Sequence, residues 1–345
     1  MATINHSSSV LADATTRTGP CVGVVIVSYN TRELLRRCLA SLEHATLPLR
    51  AIVVDNGSVD GSAAMVARDF PAVELIVCAR NAGFAGANNI ALRRLGFGEE
   101  PLRGRDGAMP PDYVLLLNPD AELLPGALEI LVNFLEQHPR VAVAAPRLRY
   151  PDGSYQTAAF RFPTLLMSLF DMFPPRGPLL GRLYTSPLNG RYPQDGGHEP
   201  FPIDHPLGAA MLIRKKALCQ VGLLDERYWM YVEEVDWCYR IKRAGWAIWQ
   251  VPAAEVIHVG GASSSQFRAR SFLALQRSRL QFFRHFYGQR FISWHMRILR
   301  LAALRTLLGC SIALLRGAAD DCLKERMLAA GELLYMVRDT RTPGT

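Results

Sequence analysis

The strongest constraint on the fold is a repeated pattern, apolar runs of strand length that each end in a polar cluster. Residues 24–30 read VVIVSYN, residues 52–61 read IVVDNGSVDG and residues 114–121 read VLLLNPDA. Runs with no polar interruption fit strands buried on both faces, as in a parallel sheet, better than strands with one wet face. Between the first two runs, Leu34, Leu35, Cys38, Leu39 and Leu42 recur at helical spacing within residues 31–43. Further helices are expected from near Ser58, over residues 84–95, and from Pro125, a favoured first-turn residue. Strand–helix–strand units of this length make right-handed crossovers and hence parallel pairing. The expected class is α/β, an open, mostly parallel sheet flanked by helices, with strands over 51–55, 74–78 and 113–118 beside the first. Such a sheet collects its strand ends along one edge, so Ser28, Tyr29, Asn30, Asp55, Asn56, Asn118 and Asp120 are expected to line one crevice.

At 345 residues and 49% hydrophobic content, the chain has enough length and apolar mass for one large domain with an appendage, or for two domains. The seven cysteines show neither a CxxC pair nor a small disulfide framework, which points to a reducing, cytoplasmic compartment and to no zinc site. Residues 1–20 lack the basic start and apolar stretch of a signal peptide and read as a flexible tail. The Gly- and Pro-rich residues 96–111 read as a surface loop, and residues 163–206 as a long irregular stretch of the kind that is usually functional or mobile.

Acidic residues that follow the strands carry the candidate chemistry. Asp55 closes a strand and is placed to accept hydrogen bonds from a base or ribose, with Ser58 capping the next helix; the plain alternative is that Asp-Asn-Gly only makes a turn. Asp120 is placed to hold Mg²⁺ or Mn²⁺ against a diphosphate, although Asn-Pro-Asp is also a common turn. Glu233, Glu234 and Asp236 lie between Tyr228–Tyr231 and Trp237–Tyr239, three carboxylates in an aromatic setting. Crowded carboxylates in apolar surroundings resist ionisation, which is how a general base acquires a useful pKa; a helix start, where acids favour the macrodipole, is the competing reading. His258 follows the apolar residues 247–252 and 256–257, and a lone histidine there is more often a satisfied core or loop residue than a ligand.

The ordered set SYN, DNGSVDG, RNAGFAGANN (80–89), LLLNPDA, GAAMLIRKKAL (208–218), GLLDERYWMYVEEVDWCYRIKRAGW (222–246) and EVIHVGGASS (255–264) resembles the inverting glycosyltransferases of family 2, within them most the bacterial rhamnosyltransferases of cell-wall and surface polysaccharide synthesis. The resemblance runs from about residue 22 to 265 and more weakly to about 288, and its specificity lies in order and spacing. It implies the GT-A fold over residues 21–265, with residues 266–345 as a basic helical C-terminal extension. It also implies a nucleoside-diphosphate sugar donor, best guessed as thymidine-diphosphate rhamnose, a lipid-linked or glycan acceptor, and a divalent cation. By the match, Asp55 meets the nucleobase, Ser28, Tyr29 and Asn30 line its pocket, and Arg80, Asn81 and Gly83 lie near ribose and diphosphate. Asp120 matches the last aspartate of the family's metal-binding motif, while Asn118 stands where many members carry the first. His258 matches a downstream metal-ligating histidine. Glu234 matches the catalytic base, usually an Asp, with Glu233 and Asp236 as rivals. The implied reaction is a single in-line displacement with no covalent sugar–enzyme intermediate. Another donor sugar, or an inactive nucleotide-binding scaffold, is the alternative that Asn118 encourages.

Between residues 268 and 317 there are ten arginines and no Asp or Glu, more positive charge than the whole chain's net +8. With Phe272, Phe282, Phe283, Phe286, Tyr287, Phe291 and Trp294 interleaved, the segment is expected to be helical and amphipathic. It suits an anionic membrane surface, placing the protein peripherally on the inner face of the cell membrane. The longest uncharged run, residues 306–315, is about half of a bilayer span, so the segment is expected to lie on the membrane and not to cross it. Packing on the catalytic domain, or a homo-oligomer interface, would use the same pattern. Nucleic acid is not the expected partner, because a nucleic-acid tail leaves the ordered acidic motifs unexplained.

Overall fold

The computed structural model describes residues 19–98, 108–177, 181–184, 186–192, 197–260, 268–317 and 321–338. The expected tail therefore lies almost wholly outside the described residues, as do most of the loop at 96–111 and the end of the motif at 255–264. The chain forms two compact units and passes between them after residues 161, 191, 229, 232 and 263.

The first unit begins with β1 (Val22–Ser28), α1 (Arg32–Ser41), β2 (Leu49–Asp55), α2 (Ser62–Asp69), β3 (Glu74–Val77), α3 (Gly83–Arg94), β4 (Tyr113–Leu117), β5 (Ala121–Leu123), α4 (Ala127–Gln137), β6 (Val141–Arg149), β7 (Tyr155–Gln156) and β8 (Ala159–Phe160). The second unit takes α5 (Leu165–Met172) and α6 (Gly181–Tyr184). The chain then returns to the first for β9 (Phe201–Pro202), β10 (His205–Pro206), β11 (Ala210–Arg214), α7 (Lys215–Val221), α8 (Glu233–Arg243) and β12 (Ala247–His258). The stretch at 163–206 is thus not structureless; short helices and strands occupy it.

The main sheet has the order β3-β2-β1-β4-β11-β6-β12-β5. Pairing is parallel from β3 through β4 and again between β6 and β12, while β11 and β5 run antiparallel to their neighbours. The continuous apolar runs explain the parallel half: β1 and β4 are buried along their whole length, because α1 and α3 are among the helices that cover the sheet. The core gathers Val22, Val24 and Ile26 with Leu35, Leu39, Leu115, Leu131 and Leu212.

Two helix starts differ from expectation. The helix after β2 begins at Ser62 behind Gly61, whose φ of 84° gives the chain its turn, so Ser58 does not cap it. The helix after β5 begins at Ala127 behind Gly126, φ 81°, leaving Pro125 just outside. In both places a left-handed glycine, cheap for its lack of Cβ, sets the entry angle.

The second unit is completed by α9 (Arg268–Phe286), α10 (Gln289–Leu315) and α11 (Asp321–Arg338). Its core joins Leu273, Leu299, Ala303, Ala330, Leu333 and Val337. Helix α10 runs 27 residues without a break and is long and apolar enough, by length and composition alone, to cross a membrane. The longest uncharged run understates that length, because single arginines interrupt the sequence but not the helix.

Candidate active site

Parallel pairing in register puts Ser28 beside Asp55 and Asp55 beside Val77, so the ends of β1, β2 and β3 meet on one edge. Asp55 is 1% exposed; its Oδ1 accepts from the Ser58 amide at 2.9 Å, and its Oδ2 is buried with no partner among the described residues. A carboxylate oxygen removed from water without a hydrogen bond is costly, and such a group at a strand end is a waiting acceptor. The clusters around it brace one another. The Asn30 amide donates to Ser58 Oγ at 3.0 Å, and Asn30 Oδ1 accepts from the Val59 amide at 2.9 Å. Asn30 itself sits at φ 53°, a left-handed conformation that asparagine tolerates. Ser28 Oγ and Thr31 Oγ1 are 3.0 Å apart.

Asn56 reaches across to the next loop. Its Nδ2 donates to Asn81 Oδ1 at 3.0 Å and its Oδ1 accepts from the Ala82 amide at 2.8 Å, while Asn81 Oδ1 also accepts from the Gly83 amide at 2.9 Å. Gly83, φ 75°, cannot be replaced cheaply, since a Cβ there would lie 2.4 Å from the Trp229 carbonyl oxygen. Arg80 is exposed and Tyr29 half-buried on this edge. Of the residues assigned to the nucleotide, Ser28, Asn30, Asp55, Asn56, Asn81 and Gly83 are thus linked on one edge by strand pairing and these hydrogen bonds.

Asp120 and His258 are neighbours through the sheet. In the antiparallel β5–β12 pair His258 stands opposite Ala121, and the Val259 amide donates to the Asp120 carbonyl at 3.1 Å. The Asp120 Oδ1 and His258 Nε2 atoms are 3.3 Å apart, and both residues are buried. His258 Nδ1 lies 2.8 Å from Gln156 Oε1. An amide oxygen only accepts, so Nδ1 carries a hydrogen, and in the neutral ring Nε2 turns its lone pair to Asp120. A protonated ring would make this an ion pair, whereas a neutral ring leaves one nitrogen and one carboxylate oxygen that together suit a hard cation. Gln156 has the place of the partner that orients a metal-ligating histidine. Among the described residues no group of three or more His, Cys, Asp or Glu side chains forms a cation cage. Asn118 is tied in through its backbone, its amide donating to the Ala209 carbonyl at 2.8 Å.

The acidic cluster opens helix α8, so the reading as a helix start holds: Glu233, Glu234 and Asp236 all stand in its first turn. Just before it, Tyr231 and Val232 adopt φ values of 67° and 71°, an expensive conformation for a β-branched valine. The three acids have different surroundings. Asp236 is satisfied on both oxygens, Oδ2 accepting from Tyr228 Oη at 3.1 Å and Oδ1 from Arg240 Nε at 2.6 Å. Glu233 is buried, its Oε2 without a partner among the described residues, and burial together with the charge of Glu234 holds its carboxyl well above the usual carboxylate range. Glu234 is half-buried, its Cγ packed over Gly208, where a Cβ would come within 3.3 Å. Gly208 adjoins Ala209, the anchor of Asn118. Glu234 therefore packs on the segment whose next residue, Ala209, is bonded to Asn118.

Several residues that matter here were not singled out in the sequence. Gln156 lies on a two-residue strand. Asn89, inside RNAGFAGANN, clamps the later GLLDE motif: its Nδ2 donates to the Leu224 carbonyl at 2.8 Å and to Glu226 Oε1 at 2.9 Å, and its Oδ1 accepts from the Leu224 amide at 3.1 Å. Arg149, opposite Ile257 on β12, is paired with Glu255 at 2.6 Å. The order of motifs showed that these segments belong together, but not which atoms join them.

Comparison with known proteins is consistent with this edge of acids and amides. The pattern described as glycosyl transferase family 2 matches residues 23–218. The chain is 35% identical over 260 residues to a Mycobacterium tuberculosis protein named N-acetylglucosaminyl-diphospho-decaprenol L-rhamnosyltransferase, covering 74% of this chain and 81% of that one. It is 25% identical over 255 residues to rhamnosyltransferase WbbL of Escherichia coli, covering 73% and 88%. Among solved structures, mannosyltransferase PcManGT of Pyrobaculum calidifontis, in complex with GDP-Man and Mn²⁺, aligns with a TM-score of 0.47 and 16% identity over 93% of this chain and 86% of that one. The chain belongs to glycosyltransferase family 2, and it is a glycosyltransferase.

Proposed function

We propose that the enzyme is an inverting transferase that moves L-rhamnose from thymidine-diphosphate rhamnose to a hydroxyl of a lipid-linked glycan, assisted by Mg²⁺ or Mn²⁺, on the cytoplasmic face of a membrane. The choice of sugar and acceptor is supported by the relative named as an L-rhamnosyltransferase acting on a diphospho-decaprenol acceptor, of which this chain covers 81%.

The observation that carries the chemistry is the division of labour among the buried acids. Asp55 Oδ2, buried and with no partner among the described residues, is suited to accept from the donor's base. Asp120 and His258, oriented by Gln156, are the residues suited to a divalent cation, the rest of whose coordination would come from diphosphate oxygens and water. The bound cation would supply positive charge against the departing nucleoside diphosphate. Glu234 is the proposed base. Burial and the neighbouring charge of Glu234 hold the Glu233 carboxyl well above the usual carboxylate range, so Glu234, the less buried of the two, is the one proposed to take the proton of the acceptor hydroxyl as its oxygen attacks the anomeric carbon. Asp236 is assigned to structure, since both of its oxygens are occupied.

A panel of nucleoside-diphosphate sugars, scored for binding and for turnover with Mg²⁺ or Mn²⁺, tests this reading. Thymidine-diphosphate rhamnose should bind most tightly. Preference for a different base or sugar would replace the donor while leaving the family assignment intact.

A further inference from the structure

The outward face of α10 carries a stripe of exposed apolar side chains, with Arg290, Arg297 and Arg305 set among them. Trp294, Leu301, Leu304, Leu308, Ile312 and Leu315 follow one another at steps of three, four and seven residues, and each is between 41% and 88% exposed. Steps of this size fall on one side of an α-helix. The opposite side is occupied: Ile292, His295, Leu299, Ala302, Ala303 and Cys310 are buried, and α10 packs on α5, α9 and α11 within its own unit. The helix thus has a dry inner face and a second stripe of apolar side chains, about 30 Å long at 1.5 Å per residue, that no other element covers among the described residues. Isolated exposed leucines need no explanation, but a continuous stripe does.

Charge identifies what covers it. Arg290, Arg297 and Arg305 on this helix and Arg316 just past its end are all exposed, Arg297 lies over the Trp294 ring at 4.7 Å, and no Asp or Glu occurs between residues 268 and 317. A partner that offers apolar depth with negative charge around it is a bilayer surface rich in anionic lipid; arginine stems run along the apolar stripe while their heads reach phosphates. A second copy of the chain would bring the same arginines against one another. Crossing the bilayer is disfavoured as well. It would strip α10 of its contacts with α5, α9 and α11, including the bond from Arg300 Nη2 to the Val337 carbonyl at 3.0 Å, and would bury Arg300 and Arg305 in hydrocarbon.

We infer that the exposed stripe of α10 is an interfacial anchor that lies in the headgroup region of an anionic membrane, with Trp294, Leu301, Leu304 and Leu308 seated below the phosphates. This goes beyond the proposed reaction and does not depend on the identity of its donor. The test uses the full chain with vesicles of phosphatidylcholine alone or mixed with phosphatidylglycerol, in sedimentation assays without substrate. The wild type should bind the mixed vesicles, and tryptophan quenching by brominated lipid should fall in Trp294→Phe. The pair Leu304→Glu and Leu308→Glu should weaken binding by roughly tenfold or more with unchanged circular dichroism. Because both sites are already exposed, the fold should tolerate them. Binding that is equal for the wild type and the pair, or no binding to anionic vesicles, would overturn the anchor. So would a wild-type dimer that the pair converts to monomer, and so would resistance of membrane-bound protein to extraction at alkaline pH.

Discussion

Asp236 and Glu234 stand two residues apart on α8, yet their surroundings predict opposite consequences of the same chemical change. Asp236 is 1% exposed and accepts from Tyr228 Oη and Arg240 Nε. Asp236→Ala removes both acceptors at once. Breaking a fully buried ion pair costs about 3–5 kcal/mol, chiefly through the charge left behind. The cost here belongs at the low end, because the Arg240 side chain is 25% exposed and also donates to the Val221 and Leu223 carbonyls. A loss of about 3 kcal/mol follows, which for a cooperative unit of this size lowers the melting temperature by roughly 6 °C. Urea titration and calorimetry at pH 7 measure it. Glu234→Gln, at a half-buried position, should change stability by less than about 0.5 kcal/mol. An Asp236→Ala protein as stable as the wild type, folded and donor-binding but unable to transfer sugar, would refute the structural role and move the base to Asp236.

Other consequences follow from the same geometry. Glu233 has its folded-state pKa raised by burial and by Glu234, above the ordinary 4.5, so its contribution to stability is present at low pH and is lost as pH rises toward the folded value. Glu233→Gln should abolish that part of the pH dependence in urea titrations between pH 5 and 9; identical slopes for the two proteins would count against a proton held on Glu233. Gly83→Ala places a methyl 2.4 Å from the Trp229 carbonyl oxygen at φ 75° and should cost at least about 2 kcal/mol, with weakened donor binding by calorimetry. Gln156→Leu removes the group that orients His258 and should lower Mn²⁺ affinity roughly 10- to 100-fold, read by titration calorimetry in the presence of nucleoside diphosphate.

The parallel half of the sheet was legible because β1, β4 and the second half of β2 are buried apolar runs, and their polar ends mark one edge. What sequence alone could not supply was pairing between distant segments. Strand β11 enters antiparallel between β4 and β6, and nothing in AMLIR states its direction. Asp120 and His258 were each legible as strand-end residues, but their approach depends on β5 pairing with β12, a three-residue strand too short to announce itself. Gln156 was invisible for the same reason. In the EEVD cluster the residue types were clear and their roles were not, since Tyr228 and Arg240 settle which carboxylate is satisfied. Helix starts were missed where Gly61 and Gly126 set the turn by left-handed φ in preference to a serine cap or an N-terminal proline.

The most direct measurement compares donor affinity with single-turnover transfer for the wild type and Glu234→Gln, using thymidine-diphosphate rhamnose, Mn²⁺ and a lipid-linked acceptor. The amide keeps the size of the side chain but accepts no proton, so donor affinity should stay within about twofold while transfer slows by roughly a hundredfold or more. Transfer at the wild-type rate by Glu234→Gln would contradict the assignment of Glu234 as the base.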